Sequence, residues 1–173
     1  MMAAKQRGDM LKTNIVLTGM AGAGKSSVGE TLAPLLGLDF VDVDRLIEED
    51  QQMVLQELLE EIGVQKFREV EEKVLLSINR THHVIATGGS AIYSQAGIDH
   101  LRKSSVVMLL DVELAILKQR VGDFSSRGLV KTEGQSFDAV FAERQPLYIE
   151  NADRIIRCND RTIAEICNLI ATR

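Results

Sequence analysis

Gly19-Met20-Ala21-Gly22-Ala23-Gly24-Lys25-Ser26 follows a short apolar run, Thr13-Asn14-Ile15-Val16-Leu17-Thr18, and leads into helical spacing of apolar residues from Lys25 to about Leu36. The octapeptide fits G-x-x-x-x-G-K-[ST], the phosphate-binding loop of ATP- and GTP-using proteins, in the strand–loop–helix setting that the motif requires. Its glycines let the backbone curl around an anion, and the N–H groups of Gly22, Ala23, Gly24, Lys25, Ser26 and Ser27 are predicted to point at phosphates. Lys25 is expected to reach the β- and γ-phosphates, and the Ser26 hydroxyl to ligate Mg²⁺.

Working outward, further strands are predicted at Asp39–Asp42, Val84–Thr87, Val106–Leu110 and Arg154–Arg157. The segments between them are long enough for crossover helices, which implies parallel pairing. The expected fold is a doubly wound α/β protein: a five-stranded parallel sheet with helices on both faces, in one domain over residues 1–173. Residues 1–12 read as a flexible lead-in, with Met10 an alternative start. Glu48 to Glu61 reads as one amphipathic helix with an acidic face, and a second helix holds Phe67 and runs to about Arg80. Phe124 to Ser136 has turn residues and little helical period, so it is predicted to be a mobile loop carrying Arg127.

Several residues fall just beyond predicted strand ends, where ligands bind in such folds. Asp42-Val43-Asp44 closes the second strand, and alternation puts both carboxylates on one side. One suits water on Mg²⁺, the other a substrate hydroxyl. Arg68 and Glu71 are three apart and share a helix face, so the glutamate is placed to fix the guanidinium for a carboxylate. Gly88 and Gly89 mark a backbone that approaches a ligand closely. Arg120, Arg127 and Arg144 are candidate cations for a migrating phosphoryl group.

Composition narrows the classes. The 173 residues are 45% hydrophobic and 26% charged, with net charge −5. That is an ordinary globular balance, without the basic tract of a nucleic-acid binder or an apolar run of membrane-spanning length. Cys158 and Cys167 form no C-x-x-C and read as reduced packing residues. His82, His83 and His100 lack ligand spacing.

The chain resembles the shikimate kinase family from about Asn14 to Arg161. The features occur in family order: the phosphate loop with Lys25 and Ser26, Asp42-Val43-Asp44, Phe67-Arg68 with Glu71, Thr87-Gly88-Gly89, Arg127, then Glu143-Arg144-Gln145-Pro146-Leu147-Tyr148 and Ala152-Asp153. The resemblance implies a nucleoside-monophosphate-kinase-like fold with a mobile lid at about 121–136. It also implies ATP-dependent phosphorylation of the 3-hydroxyl of shikimate by a cytoplasmic monomer with Mg²⁺. On that reading Asp44 holds the substrate hydroxyls, Arg68 and Arg144 bind the carboxylate, and the Gly88-Gly89 backbone closes over the substrate. Arg127 meets the transferring phosphate, Arg120 holds the nucleotide, Arg161 borders the adenine, and Asp42 reaches Mg²⁺ through water. The chain departs from the family pattern at Ser90 (usually glycine), at Gly128 (usually proline) and at Asp50-Gln51-Gln52-Met53. The alternatives are a kinase of another small hydroxylated acid such as gluconate, a nucleotide kinase, and a non-enzymatic ATP-binding sensor.

Overall fold

The computed structural model describes residues 12–122 and 129–172. Five strands, β1 (Asn14–Thr18), β2 (Asp39–Asp42), β3 (His83–Ala86), β4 (Ser105–Asp111) and β5 (Arg154–Arg157), form one parallel sheet in the order β2-β3-β1-β4-β5. The helices are α1 (Lys25–Leu36), α2 (Val43–Gln51), α3 (Leu55–Ser77), α4 (Gln95–Arg102), α5 (Leu114–Val121), α6 (Phe137–Asn151) and α7 (Ile163–Ala171), with a 3-10 turn at Gly89–Tyr93.

β1 lies at the centre because it is apolar on both faces. Ile15 and Leu17 enter a core with Val28 and Leu32 of α1 and Ile166 and Ile170 of α7. Val16 points the opposite way, into a core with Ile47 of α2 and Leu58, Phe67 and Leu75 of α3. Both faces are therefore covered, as a parallel sheet requires. The strand order reverses at β1, so the loop after it opens onto the crevice beyond the carboxyl ends.

That loop turns into α1 at Gly24, whose φ of 91° is left-handed and favours glycine. Asp42 ends β2 and caps α2, accepting a hydrogen bond from the Asp44 amide at 3.0 Å. Asp44 thus sits in the first helical turn. The predicted strand alternation across Asp42-Val43-Asp44 gives way to a capped helix start.

The single helix expected over 48–61 is two. α2 ends where Gln52 turns left-handed (φ 53°), and the Glu48 side chain then accepts from the Leu55 amide at 3.0 Å, starting α3. α3 carries the second predicted helix as well, kinked at Gly63 (φ 74°) and ending at Ser77 rather than Arg80. The acidic period across 48–61 was real, but the Glu48 side chain competes with helix continuation by satisfying an amide of its own.

Lys12, read as part of the lead-in, pairs with Asp153 at 3.3 Å, beside β4. Cys158 and Cys167 are buried free thiols. Among the described residues no helix is long and apolar enough to cross a membrane.

Candidate active site

The carboxyl ends of β1, β2 and β3 converge on a cavity of about 290 Å³. The phosphate loop forms one wall, with Gly22, Gly24, Lys25, Ser26 and Ser27; Asp44, Gly88, Gly89 and Arg144 lie on the other side. Ala23 is buried within the loop. Leu55 and Phe67 from α3 and Leu129 and Val130 complete the walls.

Lys25 is buried and donates to the Gly19 carbonyl at 2.8 Å and the Met20 carbonyl at 2.9 Å. Burial pushes its ammonium down to about 8, against the pull of Asp44. Ser26 Oγ donates to Asp42 Oδ2 at 2.5 Å. A hydroxyl and a carboxylate side by side at the helix entrance form an oxygen set suited to a hard cation.

Asp44 lies opposite Lys25. Burial pushes its carboxyl up to about 6, while the lysine opposes that shift. Glu71, on α3, is also buried and pushed up to about 7 by desolvation, with the Ser90 hydrogen bond working against the shift. A Cβ on Gly88 would stand 2.6 Å from Glu71 Oε1 and 2.7 Å from Asp44 Oδ1. Only glycine lets these two carboxyl groups flank the backbone there. Thr87 holds this turn against β1, donating its amide and its hydroxyl to the Leu17 carbonyl, each at 3.1 Å.

Gly89 joins the two walls. A Cβ there would lie 3.2 Å from an Arg144 guanidinium nitrogen and 3.6 Å from the Ala21 amide. The Tyr148 hydroxyl donates to the Gly89 carbonyl at 2.5 Å, and desolvation raises that phenol well above its usual range. Arg144 is 1% exposed. Its guanidinium donates to neutral acceptors, the Val130 carbonyl and Tyr93 Oη. Burying a cation on neutral partners leaves its charge available to an anion.

Other predicted residues lie elsewhere. Arg68 borders an adjoining recess with Glu71, Ser90 and Tyr93 rather than the main cavity. The expected Glu71–Arg68 hydrogen bond is replaced: Glu71 Oε2 accepts from Ser90 Oγ at 2.6 Å. Among the described residues Glu71 Oε1 and Arg68 Nε are both buried without a hydrogen-bond partner, so the two side chains share a helix face without meeting. Arg120 is exposed at the end of α5, and Arg161 is exposed with Nε on the Arg157 carbonyl at 3.0 Å. Both lie near Cys158, whose thiol burial pushes up to about 11 while the two arginines pull it down. Arg127 and Gly128 lie outside the described residues, as does most of the expected lid's first half.

Sequence reasoning missed Tyr93, which contacts both Arg68 and Arg144. It also missed Leu55 as a wall, because 48–61 was read as one helix.

A β2-β3-β1-β4-β5 parallel sheet with a lysine-bearing phosphate loop facing a carboxylate defines a P-loop phosphotransferase of nucleoside-monophosphate-kinase-like fold. The family model described as shikimate kinase matches residues 21–173. A shikimate kinase of Caldanaerobacter subterraneus subsp. tengcongensis is 35% identical over 156 residues, 88% of this chain and 91% of that one. One from Rhodopseudomonas palustris is 38% identical over 149 residues, 84% of this chain and 73% of that one. The solved structure of shikimate kinase from Acinetobacter baumannii in complex with shikimate superposes with TM-score 0.85 at 32% identity, covering 92% of this chain and 91% of that one. The chain belongs to the shikimate kinase family.

Proposed function

We propose that this chain transfers the γ-phosphoryl group of ATP to the 3-hydroxyl of shikimate, giving shikimate 3-phosphate and ADP in aromatic amino-acid biosynthesis. The observation that carries this reading is one cavity whose lining joins the phosphate loop to both a half-buried carboxylate, Asp44, and a buried cation, Arg144. A phosphoryl acceptor with a hydroxyl and a carboxylate needs both groups in one small site.

On this reading the loop amides from Gly22 to Ser27 hold the ATP phosphates, and Lys25 exchanges its two carbonyl partners for phosphate oxygens. Ser26 and Asp42 are assigned to Mg²⁺, Asp42 through water; the ion would screen the phosphate charge. Asp44 accepts a hydrogen bond from the attacking hydroxyl and orients it in line. Its carboxyl, raised to about 6, is ionised at neutral pH while remaining more basic than an ordinary aspartate. Arg144 and Arg68 bind the carboxylate, and Gly88-Gly89 let the substrate lie against the backbone. Arg127 is assigned to the transferring phosphoryl group from the sequence pattern of the lid, 121–136, and Arg120 and Arg161 to the nucleotide. Phe67, Leu55 and Val130 keep water from the reacting centre.

The chain is further proposed to act as a cytoplasmic monomer in one domain. In support, large exposed apolar side chains such as Leu35, Ile149 and Ile163 are scattered over separate elements. Sedimentation checks the monomer.

The deciding experiment measures ADP release with Mg-ATP and shikimate, quinate, gluconate or a nucleoside monophosphate. Acceleration by shikimate supports the proposal. Acceleration by gluconate or a nucleotide instead, or by none, overturns it.

A further inference from the structure

We propose that Tyr93 is the positioning residue for anion capture in this chain, holding Arg68 and Arg144 as a pair on one aromatic ring. The inference deepens the function proposed above and rests on its assignment of the two arginines to the acceptor carboxylate.

Two pairs of residues with the same spacing face each other. Arg68 and Glu71 share a face of α3. Ser90 and Tyr93 lie in the 3-10 turn, where positions three apart eclipse. Ser90 Oγ meets Glu71 at 2.6 Å, and the Tyr93 ring meets Arg68, whose guanidinium carbon lies 3.9 Å from the ring centroid. Among the described residues Glu71 keeps Oε1 without a hydrogen-bond partner, and Arg68 Nε has none either, so the guanidinium rests on the aromatic face rather than on the glutamate. Arg144 arrives from α6. Its guanidinium carbon is 5.2 Å from the same centroid, and its Nε donates to Tyr93 Oη at 3.3 Å. The hydroxyl in turn donates to Glu143.

The chemistry of the contact matters. A carboxylate partner would neutralise an arginine and compete with a substrate anion. A π-face attracts the cation from above and leaves the in-plane N–H donors unused. Arg68 Nε is buried and has no hydrogen-bond partner, as expected of a guanidinium held by its face. The negative π-face that both guanidiniums approach also offsets part of their mutual repulsion. The result, among the described residues, is two guanidiniums gathered on one ring, Arg68 with its Nε donor free and Arg144 bonded only to neutral oxygens.

The test compares Tyr93→Leu with Tyr93→Phe in full steady-state kinetics, shikimate and ATP each varied. Tyr93→Leu is expected to raise the shikimate KM about tenfold while the ATP KM stays within about twofold. Tyr93→Phe keeps the ring and is expected to hold the shikimate KM within about threefold of wild type. A shikimate KM unmoved in Tyr93→Leu, or both KM values raised alike, overturns the inference. A second measurement needs no turnover: the side-chain Nε–H NMR resonance of Arg68 in the free protein, assigned with Arg68→Lys. Ring current predicts that it moves in Tyr93→Leu and stays near its place in Tyr93→Phe; an unmoved resonance in Tyr93→Leu overturns the pairing. Should Tyr93→Leu not fold, Tyr93→Met replaces it in both measurements. If wild-type protein fails to phosphorylate shikimate, the proposed function falls and the resonance alone judges Tyr93. If wild type turns over and Tyr93→Leu matches it, Tyr93 alone falls.

Discussion

The two walls of the cavity are built in opposite ways. The phosphate wall is one contiguous stretch, Gly19 to Ser27, whose geometry comes from a strand end, a glycine turn and a helix start. The acceptor wall draws Asp44 from α2, Phe67 and Glu71 from α3, Gly88 to Tyr93 from the turn after β3, and Arg144 from α6. The first wall uses backbone amides, and its shape is set by the loop's own positive-φ glycines, Gly19, Gly22 and Gly24. The second uses side chains whose partners lie far apart in sequence, so one substitution redirects several. Ser90 and Tyr93 show this: one turn supplies both the hydroxyl that Glu71 accepts from and the ring under Arg68.

The contrast breaks if damage to the acceptor wall also abolishes nucleotide binding. Lys25→Met should have the largest effect, lowering kcat about a thousandfold by removing a cation from the transferring charge. The same variant should melt higher than wild type without ligand. The folded-state value of Lys25 is depressed from 10.5 to about 8, so the cost of its charging grows as pH falls from about 10.5 to about 8 and is fully present at pH 7. A lower melting temperature at pH 7 would contradict the desolvation argument. Asp44→Asn should cost about a hundredfold or more in turnover while ATP affinity, measured by calorimetry, stays close to wild type. Full activity in that variant would remove Asp44 from the mechanism.

Smaller effects sharpen the comparison. Gly88→Ala would drive a methyl to within 2.7 Å of two carboxyl oxygens, and should lower stability by about 1–3 kcal/mol and weaken acceptor binding more than ATP binding. Chemical denaturation and the two KM values read this. Glu71 gives a pH signature. Its folded-state value is raised from 4.5 to about 7, so the native state holds the proton more tightly than the unfolded chain does. Its contribution is present below 4.5 and lost as pH rises through about 7. Glu71→Gln should flatten the fall in stability across that window; an unchanged pH profile would count against the buried carboxyl.

Much of the fold was readable because its signals are local. All five strands stand within one residue of their expected ends, since each is a short apolar run bounded by turns or helix starts. The failures came where side chains rewired the backbone. Asp42 caps α2 and so ends the strand before Asp44, and Glu48 caps the start of α3 across a break that an acidic heptad-like period concealed. Tyr93 was invisible because nothing in its local sequence connects it with Arg68 or Arg144, which lie 25 residues before it and 51 after it.

The sequence alone determined the phosphate loop, the parallel α/β layering and the residue types available to an acceptor, because backbone turns and hydrophobic period are set by near neighbours. Tertiary structure alone decided which of those residues meet. It joined Glu71 to Ser90 rather than Arg68, and set Arg68 and Arg144 on one ring. It also left Arg120 and Arg161 near Cys158, outside the lining of the cavity that Asp44 and Arg144 share. Those partnerships are settled by distance and burial between separate elements, and spacing along a chain carries neither.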